Sequence, residues 1–164
     1  MAIPTYYLES VLGITPQWLA EKGKRAVVLD LDNTILPRDE DAMAPEIIKW
    51  VADLKAAGIG VVMVSNSWFG RVSEASTQLD VDFVDKAIKP LPPAFLLGLW
   101  KERTWPWHAV VVGDQFFTDV LGGTLLFMTT IMVKPLTEYD LKHTLLLRHL
   151  ERLILRERQP LKSL

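Results

Sequence analysis

A series of short, continuous apolar runs separated by helix-like segments constrains the fold of this chain more than any other feature. Residues 25–31, which contain the run AVVLDL, and residues 59–64 and 109–112 are rich in β-branched side chains. Such runs are typical of strands that are buried on both faces of a parallel sheet. Because helical segments lie between them, the sequence predicts an α/β fold, a three-layer doubly wound parallel sheet.

Helix start and stop signals divide the remaining chain into predicted elements. Thr15 followed by Pro16 predicts an N-cap and the first turn of a brief helix. An amphipathic helix is predicted to open at residues 44–46 and to close at Gly58. The predicted order is completed by helices over 71–79 and 92–101 and by strands at 83–84 and 129–133.

Residues 137–158 are predicted to form one amphipathic C-terminal helix. On a helical wheel, one side carries Leu146, Leu147, Leu150, Leu153 and Ile154, and the other carries Arg148, Arg152 and Arg156. A basic amphipathic helix can lie on an anionic bilayer, but a helix of this kind more often packs on its own sheet. Dimerisation is a third use, and the sequence leaves all three open.

Bulk properties narrow the class of protein. A chain of 164 residues predicts a single domain over residues 1–164. There are no cysteines, which excludes disulfides, thiolate metal sites and cysteine nucleophiles. A net charge of −2 argues against broad nucleic-acid binding, so no nucleic-acid partner is expected. The sequence shows neither a secretory signal nor an apolar stretch long enough to span a membrane, so we expect a cytoplasmic protein. Peripheral contact with the inner face of the membrane is the alternative.

Polar residues follow three of the predicted strands, at the point where each strand ends. Asp30, Ser65 and Asp114 take these positions. Open α/β sheets gather ligands at the carboxyl ends of their strands, so these side chains are expected to meet at one site. Asp32 lies two residues beyond Asp30, and period-two alternation places both side chains on the same side of an extended segment.

Each of these motifs also has a simpler interpretation. An Asp-x-Asp pair after a strand is often a surface turn, and Ser65-Asn66 could be a turn or an N-cap. Two further candidates are Lys89, in a proline-rich loop, and Asp119, shortly after Asp114. Lys86 competes with Lys89 for any functional role, and Asp119 could merely cap a helix. The order and the strand-end placement of the motifs together, rather than any one of them, indicate a functional site.

Four motifs taken together resemble those of a known enzyme superfamily. They are DLDNTI at residues 30–35, SNS at 65–67, KP at 89–90 and GDQFFTDVLGG at 113–123. In this order they resemble the haloacid-dehalogenase (HAD) phosphatases of subclass IIIA, and more narrowly the YqeG-like group related to mitochondrial phosphatidylglycerophosphatases. The resemblance spans roughly residues 15–135 and implies a HAD-like Rossmannoid core.

The resemblance implies a nucleophile, an acid–base residue and a metal. Asp30 would attack phosphorus and form an aspartyl-phosphate, which splits one difficult step into two easier ones. Asp32 would act as general acid and then as general base. Mg²⁺ is the implied cofactor, held by Asp30, Asp114 and the backbone carbonyl of Asp32, because it prefers hard oxygen ligands. Asp119 would support the metal through water or hold Lys89.

The resemblance also implies a set of phosphate-binding residues. Ser65 and Asn66 would donate hydrogen bonds to the transferring phosphoryl group, and Lys89 would supply positive charge. Thr34 belongs to the same set, where it would fix the loop.

The spacing of the motifs bears on the substrate. About thirty residues separate Thr34 from Ser65, and about two dozen separate Ser65 from Lys89, too few for an inserted cap domain of at least about 40 residues. An open site could admit a phosphate on a phospholipid headgroup. The resemblance implies a Mg²⁺-dependent phosphomonoester hydrolase that works through an aspartyl-phosphate and acts on phosphatidylglycerophosphate. The alternatives are a HAD phosphatase for a soluble sugar or nucleotide phosphate, a non-catalytic metal-binding or interaction module, and a phosphoacceptor receiver domain. The oligomeric state is left open.

Overall fold

Six parallel strands form one sheet in the computed structural model, which describes residues 4–137 and 159–164. In chain order they are β1 Tyr6–Leu8, β2 Ala26–Leu29, β3 Gly60–Val64, β4 Asp82–Val84, β5 Ala109–Gly113 and β6 Thr129–Val133. Their order across the sheet is β1-β6-β5-β2-β3-β4. All five neighbouring pairs are parallel, which confirms the predicted fold class.

Helices connect the strands along the described chain. They are α1 Pro16–Glu21, α2 Pro45–Ala56, α3 Phe69–Leu79, α4 Pro92–Lys101 and α5 Leu121–Leu125. Single turns of 3₁₀ helix cover Val11–Gly13 and Pro106–His108, and a π-helical turn covers Phe116–Val120. The predicted bounds of α4 and β6 agree with the structure, and α2 and α3 differ from their predictions by only a few residues.

Local sequence signals explain where these helices begin. The Thr15 hydroxyl accepts a hydrogen bond from the amide of Trp18 at 3.1 Å, and Pro16 occupies the first helical position of α1, as predicted. Strand β1 and helix α5 were not predicted from the sequence. β1 is a three-residue edge strand, too short to show periodicity, and α5 contains two glycines, which normally disfavour a helix.

Two apolar layers pack on opposite faces of the sheet because side chains alternate along each strand. On β2, Val27 and Leu29 join the larger core beneath α1, α2 and α3, whereas Ala26 and Val28 face the core that includes Phe95 of α4. The neighbouring strands β3 and β5 alternate in the same way. The sheet is therefore buried on both faces, which explains why its strands read as continuous apolar runs.

The strand order places the switch point of the sheet between β2 and β5. From β2 the chain builds β3 and β4 towards one edge, then returns to β5 on the other side of β2. The two strands run in register from Ala26 beside Ala109 to Leu29 beside Val112. Crevices at such switch points, at the carboxyl ends of the strands, are where open α/β sheets bind ligands.

The C-terminal helix predicted over residues 137–158 lies, apart from Thr137, outside the described residues. Residues 159–164 are described, and Leu161 pairs with β1 through a hydrogen bond from its amide to the carbonyl of Tyr7 at 2.8 Å. In the parts of the chain that the structure describes, no helix combines the length and hydrophobicity that crossing a membrane requires.

Candidate active site

The loop that follows β2 holds two of the predicted acids in a tight turn. Asn33 has a positive φ of 60°, which Asn adopts more readily than most residues, and its amide donates to the carbonyl of Leu36 at 2.8 Å. The Thr34 hydroxyl lies 3.2 Å from Asp30 Oδ2 and 3.4 Å from Asp114 Oδ1. Thr34 thus joins the ends of β2 and β5 by hydrogen bonding.

Acidic side chains from two neighbouring strand ends converge on one buried point. Asp30, Asp114 and Asp119 each offer a carboxylate oxygen, and these oxygens all lie within 4.8 Å of one another. The Lys89 ammonium donates to Asp30 Oδ1 and to Asp119 Oδ1, each at 2.6 Å. All four side chains are buried. The structure therefore brings together residues that are up to 89 positions apart in the sequence, from Asp30 to Asp119.

Burial and charge set the protonation of this cluster. Burial raises the pKa of the Asp30 carboxyl to about 6, although the ammonium of Lys89 counteracts part of that effect. Burial alone would lower the pKa of the Lys89 ammonium, but the carboxylates of Asp119 and Asp30 outweigh it and raise that pKa. With a pKa of about 6, most Asp30 carboxyl groups are ionised at neutral pH.

The turn after β5 explains how Asp119 reaches the cluster. In the π-helical turn, Asp119 Oδ2 accepts hydrogen bonds from the amide of Gln115 at 3.3 Å and the hydroxyl of Thr118 at 3.2 Å. A Cβ atom at Gly113 would lie only 2.3 Å from Asp119 Oδ2, so a side chain at that position would displace the carboxylate. With Oδ1 on Lys89, both oxygens of Asp119 have hydrogen-bonding partners within the protein.

Asn66 orients the loop that carries Lys89. Its Oδ1 accepts from the amide of Lys89 at 2.8 Å, and its Nδ2 lies 3.5 Å from the carbonyl of the same residue. The Ser65 hydroxyl accepts from the amide of Ser67 at 3.1 Å, which is a turn contact. Lys89, rather than Lys86, reaches the acidic cluster. The contacts of Ser65 and Asn66 with a phosphoryl group remain predictions.

Asp32 lies beside the cluster and is held by residues to which sequence reasoning gave no role. Arg71 Nε donates to Asp32 Oδ1 at 2.8 Å, Arg38 Nη1 lies 3.7 Å from Oδ2, and the hydroxyl of Ser67 hydrogen-bonds to Oδ2. Arg71 also donates to the carbonyls of residues 37 and 40, at 2.6 and 2.8 Å. One sequence signal could have drawn attention to Arg71, because a cation in the first turn of a helix opposes the helix dipole.

The donor set fits a divalent metal ion. Three buried carboxylates with oxygens within 4.8 Å of one another are the hard ligands that Mg²⁺ and similar ions prefer. Lys89 neutralises part of their charge through its contacts with Asp30 and Asp119. Asp30, Asp114 and Asp119 are the carboxylates that could hold a metal, and Lys89 contacts two of them, Asp30 and Asp119.

Comparison with known proteins identifies the family. The model of the family described as mitochondrial PGP phosphatase matches residues 2–137 of this chain. The chain belongs to this family. A relative, the probable phosphatase YqeG of Bacillus subtilis (strain 168), is 36% identical over 153 residues, which cover 93% of this chain and 89% of the relative. As a PGP phosphatase family member, the chain is a HAD-type phosphoric monoester hydrolase, and its substrate is phosphorylated.

Solved structures share the fold of this phosphatase at low sequence identity. The cobalt-bound deoxy-D-mannose-octulosonate 8-phosphate phosphatase YrbI of Haemophilus influenzae has a TM-score of 0.55 and 12% identity, covering 82% of this chain and 89% of its own. The corresponding phosphatase of Moraxella catarrhalis, solved with magnesium, phosphate and KDO, has a TM-score of 0.53 and 13% identity, covering 86% and 90%. Both support the HAD-like Rossmannoid core.

Proposed function

We propose that this phosphatase transfers the phosphoryl group of its substrate to Asp30, depends on Mg²⁺, and acts on phosphatidylglycerophosphate. The observation that carries the proposal is the buried contact of Lys89 with Asp30 and Asp119, next to Asp114. A buried, ionised carboxylate beside a lysine ammonium is suited to attack an anionic phosphoryl group, since the cation offsets the charge repulsion.

The proposed reaction proceeds in two steps. In the first, an Asp30 carboxylate oxygen bonds to phosphorus, the ester P–O bond breaks, and the leaving alkoxide takes a proton from Asp32. In the second, water gives a proton to Asp32 and attacks phosphorus, and the bond from phosphorus to Asp30 breaks, releasing phosphate. Asp30, Asp114 and the carbonyl of Asp32 would hold Mg²⁺, which would supply positive charge that offsets the charge of the phosphoryl oxygens.

The remaining predicted residues serve this reaction by positioning. Thr34 hydrogen-bonds within the cluster and fixes the relative position of Asp30 and Asp114. Asn66 accepts a hydrogen bond from the backbone amide of Lys89. We therefore propose two roles for Asn66, which are to contact the phosphoryl group and to position the loop of Lys89. Ser65 completes the proposed phosphate-binding set.

Two observations support a lipid substrate. The chain belongs to a family named for PGP phosphatase. In addition, the connections from β2 to β3 and from β3 to β4 each contain a single helix, α2 and α3, so no inserted domain covers the site from these segments. A site without such a cover is open to a phosphate that projects from a bilayer.

The test is a comparison of substrates and of two matched variants. With Mg²⁺, we expect the purified enzyme to release phosphate from phosphatidylglycerophosphate faster than from soluble sugar and nucleotide phosphates. Asp30→Asn should lower turnover by about 10³-fold or more, because it removes the nucleophile. Asp39→Asn, which changes an exposed acid of the same loop, should leave turnover unchanged. A preference for soluble esters would contradict the proposed lipid substrate. An active Asp30→Asn variant would contradict the proposed role of Asp30 as the nucleophile.

A further inference from the structure

We propose that four exposed apolar side chains beside the active site, Trp68, Phe69, Ile88 and Leu91, form a surface that inserts into the interface of a lipid bilayer. We call this surface the apolar rim. The inference rests on the proposed lipid substrate and adds the surface through which the enzyme reaches it. The four side chains are 78%, 57%, 70% and 53% exposed, in that order.

Hydrogen bonds connect the two loops of the apolar rim into one unit. The amide of Lys86 donates to the carbonyl of Ser67 at 3.2 Å, and the amide of residue 87 donates to the carbonyl of Ser65 at 3.0 Å. The contacts between Asn66 and Lys89 continue this connection. Trp68, Ile88 and Leu91 therefore lie on adjacent loops at the carboxyl edge of the sheet, and Phe69 follows as the first residue of α3.

The apolar rim directly borders the catalytic groups. Trp68 follows Ser67, whose hydroxyl hydrogen-bonds to Asp32, and Ile88 precedes Lys89, whose ammonium contacts Asp30. If the apolar rim inserted into a membrane, the lipid headgroups would lie next to the active site. A lipid phosphate would then approach Asp30 without leaving the bilayer.

Local structural preference does not explain the residues of the rim. Trp68 is the N-cap of α3 and Leu91 is the N-cap of α4, and neither forms a side-chain capping hydrogen bond. Ser, Thr, Asp and Asn are strongly favoured at this position, and large apolar residues are disfavoured. Ile88 is a β-branched residue with a positive φ of 52°, which is rare and unfavourable. Residues that break local rules at an exposed site indicate a function.

The chemistry of the rim favours a bilayer as the occupant. The Lys86 ammonium lies over the Trp68 ring, 5.0 Å from its centre, so an apolar ring and a cation are in contact. Tryptophan and lysine are both suited to a membrane interface, where one end of the side chain is apolar and the other is hydrated. Asp85 and Lys86 are adjacent in the sequence and opposite in charge, so we expect binding through apolar insertion, with weak dependence on salt.

The variants that test the rim are chosen so that they do not unfold the protein. Trp68→Ser and Leu91→Ser remove apolar surface and place a favoured residue at each N-cap, so the double variant should fold at least as well as the wild type. Trp100→Ser is the matched control. Trp100 is 75% exposed and lies near the other end of α4, about 13 Å from Leu91 along the helix axis.

The measurement is co-sedimentation of the full chain with vesicles of phosphatidylcholine containing a minor fraction of phosphatidylglycerol. The double variant should bind at least about tenfold more weakly, because burial of one large apolar side chain alone is worth about that factor. Trp100→Ser should bind like the wild type. The proposal would be contradicted if the double variant bound vesicles as tightly as the wild type. It would also be contradicted if Trp100→Ser lost as much binding as the double variant. So would a wild-type dimer that becomes monomeric in the double variant without any vesicle binding, since the partner would then be a second copy.

Turnover separates this inference from the proposed function. Vesicle binding that depends on the rim, without hydrolysis of phosphatidylglycerophosphate in detergent micelles, would refute the substrate and leave the surface standing. Hydrolysis in micelles, together with vesicle binding that is unchanged in the Trp68 and Leu91 double variant, would refute the proposed surface and leave the proposed substrate intact.

Discussion

At the scale of single residues, the two aspartates of the DLD motif lie in different environments. Asp30 faces Lys89 and the other buried carboxylates, whereas Asp32 is bound by Arg71 and Ser67. A nucleophile must remain ionised and close to the cation, while an acid–base group must be held towards the leaving group. The contacts of each aspartate are consistent with the role proposed for it.

Arg71 provides a test of the proposed role of Asp32. Arg71→Gln should lower kcat/KM by about tenfold or more for an alkyl phosphate, whose poor leaving group needs a proton from a correctly placed acid. With p-nitrophenyl phosphate the loss should be much smaller, since nitrophenolate leaves without a proton. Arg71→Lys should not restore activity, because an ammonium cannot reproduce the contacts of the guanidinium with Asp32 and residues 37 and 40. Equal losses on both substrates would contradict a positioning role.

At the scale of elements, the double glycine in helix α5 allows the helix to pack closely on the sheet. A Cβ atom at Gly123 would lie 2.2 Å from a methyl group of Val111 on β5, and one at Gly122 would lie 2.5 Å from the Phe95 ring. Neither glycine is required for a positive φ, because both lie in a helix. The two glycines are therefore explained by the close packing of α5 against its neighbours, and not by a need for unusual backbone angles.

Gly123→Ala should therefore destabilise the protein by about 1–3 kcal/mol through overpacking. Gly70→Ala is the matched control, because Gly70 also lies in a helix and a Cβ there would meet nothing within 4 Å. That change should raise stability by about 0.4–1 kcal/mol, since alanine has less freedom to lose on folding. Urea unfolding of both variants measures the two free energies. Equal effects at the two positions would contradict the packing argument.

Much of the architecture could be predicted from local sequence signals. The buried strands β2, β3 and β5 follow from uninterrupted β-branched runs, and α1 follows from Thr15 and Pro16. Strand β1 could not be predicted, since a three-residue edge strand is defined by its pairing with β6. The turn that presents Asp119 is π-helical and depends on Gly113, and no periodic pattern encodes it.

The candidate site was predictable for the same reason as the sheet. Once β2 and β5 are parallel neighbours, the residues after them must lie together, so Asp30 and Asp114 converge. The contacts of Arg71 and Arg38 with Asp32 depend on where α3 and the loop at residues 37–41 pack. That packing is a tertiary result which spacing along the chain does not determine.

At the scale of the whole molecule, catalysis and the proposed membrane contact share one edge of the sheet. The acidic cluster, Lys89 and the apolar rim all lie on segments that directly follow the carboxyl ends of β2, β3, β4 and β5. Trp100 and the stacked pair Trp105 and Trp107, whose ring centres lie 5.3 Å apart, lie towards the end of α4 and before β5, at the amino edge. The two ends of the sheet therefore provide a direct comparison between aromatic residues near the site and away from it.

The central claim is that Asp30 carries the phosphoryl group during turnover, and acid-quench mass spectrometry of the Asp32→Asn variant tests it most directly. With p-nitrophenyl phosphate and Mg²⁺, the first step needs no acid, whereas release of phosphate lacks its general base. The intermediate should therefore accumulate. We predict one phosphoryl group per chain, located on Asp30 and absent when Asp30→Asn is added. A phosphoryl group on another residue, or turnover with no phosphoenzyme at any time point, would contradict the account.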